Sequence, residues 1–287
     1  MEEKLERLKS LLKELGKVSV AYSGGVDSTF LLKVSKEVLK DNVLAVTLVS
    51  PLFPKKEIEE AKKMAETLGV KHIIVEDDSI LQNPEFINNP PERCYICKKI
   101  NFKKILEISK ENNIEYVIEG SNADDLKDYR PGRLAIKELG IRSPLLEIGL
   151  TKSEIRKLSQ MFGLPTYDKP SLACLATRIP YGEKIEKERL KRIELSEEFI
   201  RSLGIRQVRV RDHNNIARIE IEDKDFYLII SLKDKIIKEL KRLGYKYITL
   251  DLEGYRTGSM NEEIIKREGE LYFSPSLYST PISLCLL

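Results

Sequence analysis

Residues 17–28 read KVSVAYSGGVDS, and this stretch decides the fold. Lys17 to Tyr22 is a short apolar run built around Val18 and Val20, the composition of a buried strand. Ser23, Gly24 and Gly25 then supply turn residues, and residues 29–39 return to apolar positions three and four apart, which predicts a helix. Upstream, Leu5, Leu8, Leu11, Leu12 and Leu15 recur at helical intervals and Gly16 supplies a stop. Downstream, the same reading predicts a strand over 43–49, a helix over 55–68 and a strand over 72–75. A loop containing Pro84, Pro90 and Pro91 precedes a helix over 98–111 and a strand over 116–119, and Thr151 caps a helix ending near Phe162. Strands alternating with helices imply an α/β fold, a doubly wound, mostly parallel sheet joined by crossover helices.

From 164 to 182 the pattern breaks at Pro165, Pro170 and Pro180. The expected division is therefore 1–168 as the first domain, 169–185 as an interdomain segment and 186–287 as a smaller α+β domain. The latter would hold a helix over 187–203, strands over 207–212 and 217–221 across His213, Asn214 and Asn215, a helix near 232–243 and a strand over 247–252. Residues 272–287 carry no charged side chain, and would pack on another subunit or end loosely.

Of the 287 residues, 41% are hydrophobic and 33% charged, which suits one large or two moderate cores and argues against a disordered chain. No run of about 18 apolar residues occurs, and the N-terminus MEEKLERLKSLLKEL is charged every few residues. Neither a membrane span nor a secretory leader is expected, and a cytoplasmic location follows. Lys+Arg 49 against Asp+Glu 46 gives +3, too near neutrality to argue for a polyanion, so neither nucleic acid nor a membrane is an expected partner.

Between a buried strand and a helix N-terminus, Ser23, Gly24, Gly25, Asp27 and Ser28 form a natural phosphate cradle: free backbone N–H groups and the helix dipole favour an anion, and glycines let it approach. Asp27 repels phosphate, so a carboxylate there suggests a Mg²⁺ ligand bridging to a nucleotide. The Gly-Lys-Ser/Thr ending of a Walker A loop is missing. The bland alternative is a tight turn with a capping serine. The loop resembles the PP-loop ATP pyrophosphatases, whose signature SGGxDS falls at residues 23–28. That resemblance implies ATP and Mg²⁺, attack by a substrate oxygen on the α-phosphate, and an adenylated intermediate with release of pyrophosphate. It also implies adenine near Thr47 and Leu48, at the end of the second strand, and beside it the loop GSNADD, where Asp124 or Asp125 would support magnesium or ribose unless the loop is merely a polar turn.

Four cysteines are too few for a disulfide scaffold, and Cys94 and Cys97 form a CxxC pair, a metal-binding or redox spacing. Cys174 lies in the interdomain stretch KPSLACLATR, so three thiolates can converge at the mouth of the nucleotide site. Structural zinc wants four ligands, and His72 and His213 read as surface or packing residues. Three cysteines instead suit a 4Fe-4S cluster with one iron open, whereas Cys285 reads as a buried apolar residue.

With RCYICKK at 93–99, GSNADD at 120–125, ACLATRIPYG at 173–182, VRVR at 208–211 and GYRTGSMNE at 254–262, nearly the whole chain resembles the LarE family of ATP-dependent sulfur-insertion enzymes. The resemblance implies adenylation of the carboxylates of pyridinium-3,5-dicarboxylate mononucleotide and their conversion to thiocarboxylates for a nickel-pincer nucleotide. One branch sacrifices a cysteine at the position of Cys174; the three-cysteine branch, which this chain resembles, uses a cluster carrying an extra sulfide from an external source. A homo-oligomer is also implied. Arg209 and Arg211 alternate along one strand and so share a face, suited to a phosphate dianion, with Val208 and Val210 turned to the core. Arg178, four residues after Cys174, would offset charge developing on the adenylated carboxylate. The resemblance supports Arg178, Arg209 and Arg211 as substrate ligands with Glu197 and Glu220 as orienting residues; the alternatives are a solvated basic face, and Glu220 simply pairing with an arginine. A tRNA thiolation enzyme and a nonenzymatic iron-sulfur or zinc carrier are the competing functions.

Overall fold

The computed structural model describes residues 1–126, 131–170, 173–256 and 258–261. The elements in chain order are α1 (Glu2–Leu15), β1 (Val18–Ala21), α2 (Val26–Leu39), β2 (Val43–Val49), α3 (Lys55–Thr67), β3 (Lys71–Glu76), α4 (Pro84–Ile87), α5 (Arg93–Glu111) and β4 (Tyr116–Ile118). They continue with α6 (Gly132–Glu138), α7 (Pro144–Glu147), α8 (Lys152–Met161), α9 (Lys187–Ser202), β5 (Val208–His213), β6 (Ile216–Ile221), α10 (Phe226–Ser231), α11 (Lys233–Arg242) and β7 (Tyr247–Leu250).

The first sheet is parallel throughout, in the order β3-β2-β1-β4. Its central strands are apolar on both faces because helices cover both: Val18, Val20, Leu44, Ala45 and Val46 are buried. One face packs Leu8 and Leu12 of α1 with Phe30, Leu31 and Val34 of α2. The other packs Phe102 and Ile105 of α5 against Leu44, Val46 and Val117. From β1 the chain turns one way to β2 and β3, then returns to lay β4 on β1's other side. The strand order therefore reverses between β1 and β4, and the C-terminal ends of these strands form the crevice where ligands of such sheets bind.

The second sheet has the order β5-β6-β7, with β5 antiparallel and β7 parallel to β6. Val208, Val210, Ile219 and Ile221 line its core with Ile200 of α9 and Ile236 and Leu240 of α11. The opposite face carries Arg209 beside Glu220 and Arg211 beside Arg218.

Four local readings change. The helix expected from residue 98 begins at Arg93, placing Cys94 and Cys97 in its opening turns. Arg93 fixes that start: its guanidinium donates to Asn89 Oδ1 at 2.5 Å and stacks 4.1 Å from the centre of the Tyr181 ring. The proline-rich loop before it includes α4, whose Phe86 N–H donates to the capping Asn83 side chain at 2.9 Å. α6 and α10 had no sequence signal, and β7 stops at Leu250, leaving Leu252 outside the strand and 85% exposed. Among the described residues no helix is long and apolar enough to cross a membrane. Cys285 and residues 272–287 lie outside the described residues.

Candidate functional site

The phosphate loop is held in shape by its own hydroxyls. Ser23 Oγ and Ser28 Oγ lie 3.0 Å apart, and Ser28 Oγ donates to Gly25 O at 3.3 Å. Gly24 has φ +70, and a Cβ there would stand 2.7 Å from Ala61 Cβ, so α3 presses against the turn and only glycine fits. Gly120, after β4, is also tightly placed, though less so than Gly24: its Cβ would meet Ser28 N at 3.0 Å. The SGGVDS and GSNADD loops thus touch through backbone. The first N–H groups of the fourteen-residue α2 open at this point without helical partners.

Asp27 stands in that first turn. Its Oδ2 accepts a hydrogen bond from Lys152 Nζ at 2.5 Å, while Oδ1 is buried without a partner. Burial pushes the Asp27 carboxyl above its ordinary value and Lys152 pulls it back only in part. An orphaned carboxylate oxygen beside free helix N–H groups fits a hard divalent ion and a phosphate. Asp124 is turned to the neighbouring helix, its Oδ2 accepting from Lys152 N at 2.9 Å, and Asp125 Oδ2 accepts from Asn122 N at 3.0 Å. Thr47 donates its one hydroxyl proton to Tyr22 O at 2.6 Å, so His72 Nε2, 2.8 Å from Thr47 Oγ1, must carry a proton and donate to it. His72 is therefore a packing residue, its pKa lowered by burial. Leu48, beside Thr47, is half-buried against the α5 side of the sheet.

The three described cysteines are free thiols, each half-buried. Cys97 and Cys174 pack against one apolar wall that includes Leu52, Ile80, Phe86 and Leu175. Two stitches bring the segments together. Leu175 N donates to Leu52 O at 2.8 Å, and Asn89 Nδ2 donates to Ile179 O and Pro180 O at 3.2 and 2.7 Å while its Oδ1 receives Arg93. Burial pushes the Cys94 and Cys97 thiols up, and the nearby Cys174 pushes both further. Lys98 opposes this and links the thiols to the crevice: its Nζ lies 3.9 Å from Glu119 Oε2, next to Gly120.

As a donor set, three soft sulfurs with an apolar wall and a neighbouring cation fit an iron-sulfur cluster. Among the described residues, however, no three His, Cys, Asp or Glu side chains stand ready around a single ion. The raised pKa of Cys94 and Cys97 favours their protonated thiols, so a cation bound there must displace protons before the sulfurs serve as ligands.

Arg178 is committed rather than open. Its Nε and Nη2 hold Glu197 at 2.8 and 3.1 Å, and Nη1 donates to Ala173 O, Cys174 O and Thr177 Oγ1 at 2.8, 3.1 and 2.9 Å. It is 2% exposed, so it braces the Cys174 segment instead of reaching out from it. Glu197 also receives Val210 N and Arg201, and the surrounding arginines hold it at about 2 against its burial. Arg209 lies 5.4 Å from the Tyr255 ring, lowered to about 10 by burial and by the like charge of Arg178. Arg211 pairs with Glu220 at 2.6 Å, shares Ser259 with it, and donates to Thr177 O at 3.1 Å. Glu220 thus pairs with an arginine, and the Arg209–Arg211 face is buried rather than solvated. Lys152, Lys98 and Glu119 had no sequence signal.

The family described as NAD synthase matches residues 1–91, the segment holding the phosphate loop. An uncharacterized protein of Synechocystis sp. is 43% identical over 93% of this chain and 100% of its own length. A pyridinium-3,5-bisthiocarboxylic acid mononucleotide synthase of Lactiplantibacillus plantarum is 37% identical over 91% of this chain and 95% of its own. An uncharacterized protein of Methanocaldococcus jannaschii is 35% identical over 88% and 98%.

Proposed function

Since this chain belongs to the family of the pyridinium-3,5-bisthiocarboxylic acid mononucleotide synthase, we propose that it is an ATP-dependent sulfurtransferase acting on a pyridinium dicarboxylate mononucleotide in nickel-pincer cofactor synthesis. What supports the reading is the phosphate loop itself, with Gly120 packed against its Ser28 backbone, and Lys98, on the helix that carries Cys94 and Cys97, 3.9 Å from Glu119. A substrate carboxylate oxygen attacks the α-phosphate of ATP; the bond to the β-phosphate oxygen breaks and pyrophosphate leaves. The α2 N-terminus and the serines of the loop bind the phosphates, and Asp27 would hold Mg²⁺. A sulfur nucleophile then attacks the acyl carbon, AMP departs with the C–O electron pair, and a thiocarboxylate remains.

Cys94, Cys97 and Cys174 would hold the 4Fe-4S cluster. When bound, such a cluster supplies an open iron that carries a donor sulfide. Arg178 positions the backbone of Cys174, and Arg209 and Arg211, with Glu197 and Glu220 orienting them, favour the substrate phosphate. In this division residues 1–168 handle ATP, 169–185 present Cys174, and 186–287 meet the substrate and another subunit.

Pyrophosphate release measured with and without the pyridinium substrate tests the reading: substrate-stimulated release is expected, and its absence sinks it. Two further measurements identify the donor. Cys94→Ala or Cys97→Ala should abolish the iron and brown colour of anaerobically prepared protein. Mass spectrometry after turnover should find Cys174 intact; a loss of about 34 Da, one H₂S, would assign the sulfur to that thiol instead.

A further inference from the structure

Asn101 sits where a helix gains nothing from asparagine. It is the ninth of the nineteen residues of α5, far from the caps at Glu92 and Asn112, and asparagine inside a helix costs stability. Short polar side chains further along the same element offset that cost locally. Ser109 Oγ donates to Ile105 O at 2.7 Å and Asn112 Nδ2 to Ile108 O at 2.8 Å, each to a carbonyl four residues back. Asn101 has the same four-residue reach, yet its Nδ2 is aimed at a sulfur, Cys97 Sγ at 3.5 Å. The setting strengthens that contact. Cys97 and Ile100 pack on the apolar wall of Leu52, Ile80, Phe86 and Leu175, where a donor acts on charge with little screening by water. Lys98 also faces this region, but its Nζ is 3.9 Å from Glu119 Oε2 and its side chain is 37% exposed.

We propose that Asn101 is a positioning residue for the sulfur of Cys97, and that its amide N–H draws negative charge off that sulfur when it ligates an iron-sulfur cluster, making the bound cluster easier to reduce. This role rests on the three-cysteine cluster of the proposed function. A ligating thiolate has no proton and can only accept, so the N–H end of the amide, and not its oxygen, must face it. Reduction places one electron, taken from an external reductant, on the cluster, and the sulfurs share the added charge. A donor aimed at one of them stabilises the reduced form more than the oxidised form and so raises the midpoint potential. Because Asn101 and Cys97 lie on one face of one helix, the bond also fixes where the sulfur points.

Anaerobically prepared full-length protein, titrated with dithionite and followed by electron paramagnetic resonance of the reduced cluster, tests this without turnover. Asn101→Leu keeps the side-chain volume and removes the donor. Its reduced-to-oxidised ratio at a fixed potential should fall about tenfold, a midpoint about 59 mV lower for one electron. Asn101→Asp has the same shape but carries an ionised acceptor; it should fall at least as far, and it decides the matter if Asn101→Leu binds no iron. Asn112→Leu breaks a bond to a carbonyl on the same helix instead, and should leave the potential unchanged. An iron-loaded Asn101→Leu with the potential of the unaltered protein, or an equal fall in Asn112→Leu, overturns the proposal. Loss of iron from both Asn101 variants overturns it too, since the side chain is then required for loading rather than for tuning. No iron in the unaltered protein ends the cluster assignment and this role together. A potential that moves as expected, without substrate-stimulated pyrophosphate release, would instead defeat the sulfurtransferase reading and leave the role of Asn101 standing.

Discussion

Gly120→Ala is a one-methyl test of how the crevice is built. In the structure the new Cβ would lie 3.0 Å from Ser28 N, 3.2 Å from Ser28 Cα and 3.3 Å from the Asp27 carbonyl carbon. All three atoms are backbone in the first turn of α2, so no side chain can swing aside. Ordinary contact begins at 3.4 Å, and the loop after β4 must retreat from the phosphate turn by about 0.4 Å. A misplacement near 1 Å costs roughly 100-fold in rate, so a shift of this size should lower kcat/KM for pyrophosphate release by several-fold to about tenfold. Overpacking should also cost about 1–3 kcal/mol of stability. Gly149→Ala is the control: Gly149 has φ +73 with nothing within 4 Å of its would-be Cβ, so alanine strains the backbone there without pushing the two loops apart. It should lose about 1–2 kcal/mol and little rate. Urea denaturation and a coupled pyrophosphate assay on both variants suffice. If Gly120→Ala keeps the full rate, or if Gly149→Ala loses as much, the contact between the loops does not govern the chemistry.

Two further predictions concern buried charge. Arg178→Met takes one arginine from the fully buried Glu197 and leaves it Arg201 and the Val210 N–H, and should cost about 3 kcal/mol in urea denaturation. Because Glu197 is held at about 2, below its ordinary value, its contribution in the unaltered protein is present above the unfolded carboxylate pKa and should fade as the pH drops from about 5 toward 2. Arg178→Met should flatten that acid limb, and an unchanged limb refutes the pairing. His72 is shifted the opposite way for a base, downward by burial, so the folded state resists its proton. Stability should be whole above about pH 6.5 and decline below it, and His72→Gln should remove that slope.

The sheet could be read from residues because its grammar is local: Val18 and Val20 before two glycines and a helix define a β-turn-α unit without distant partners. The alternation that put Arg209 and Arg211 on one face is equally local. Their burial was not legible, because the groups that accept from them and pack over them, Thr177, Ser259, Glu220 and Tyr255, come from separate stretches of chain. The sequence reading of Arg178 as a group offsetting charge on the substrate does not include its pairing with Glu197 for the same reason: nothing in KPSLACLATR announces a partner 19 residues on. The start of α5 was missed because its anchors are Asn89 and Tyr181 rather than an apolar period. Lys152 was hidden among 49 basic residues, distinguishable only once Asp27 was seen opposite it.

The apolar wall beside Cys97 and Cys174 has a consequence for how the protein is made. It takes Leu52, Ile80 and Phe86 from early in the chain but Ile185, Leu190 and Ile193 from much later. On the ribosome all four strands of the parallel sheet have emerged with Ile118, long before the last of those isoleucines is translated. The nascent polypeptide therefore passes through a stage in which the parallel sheet can already assemble while the wall beside Cys97 and Cys174 is still half built.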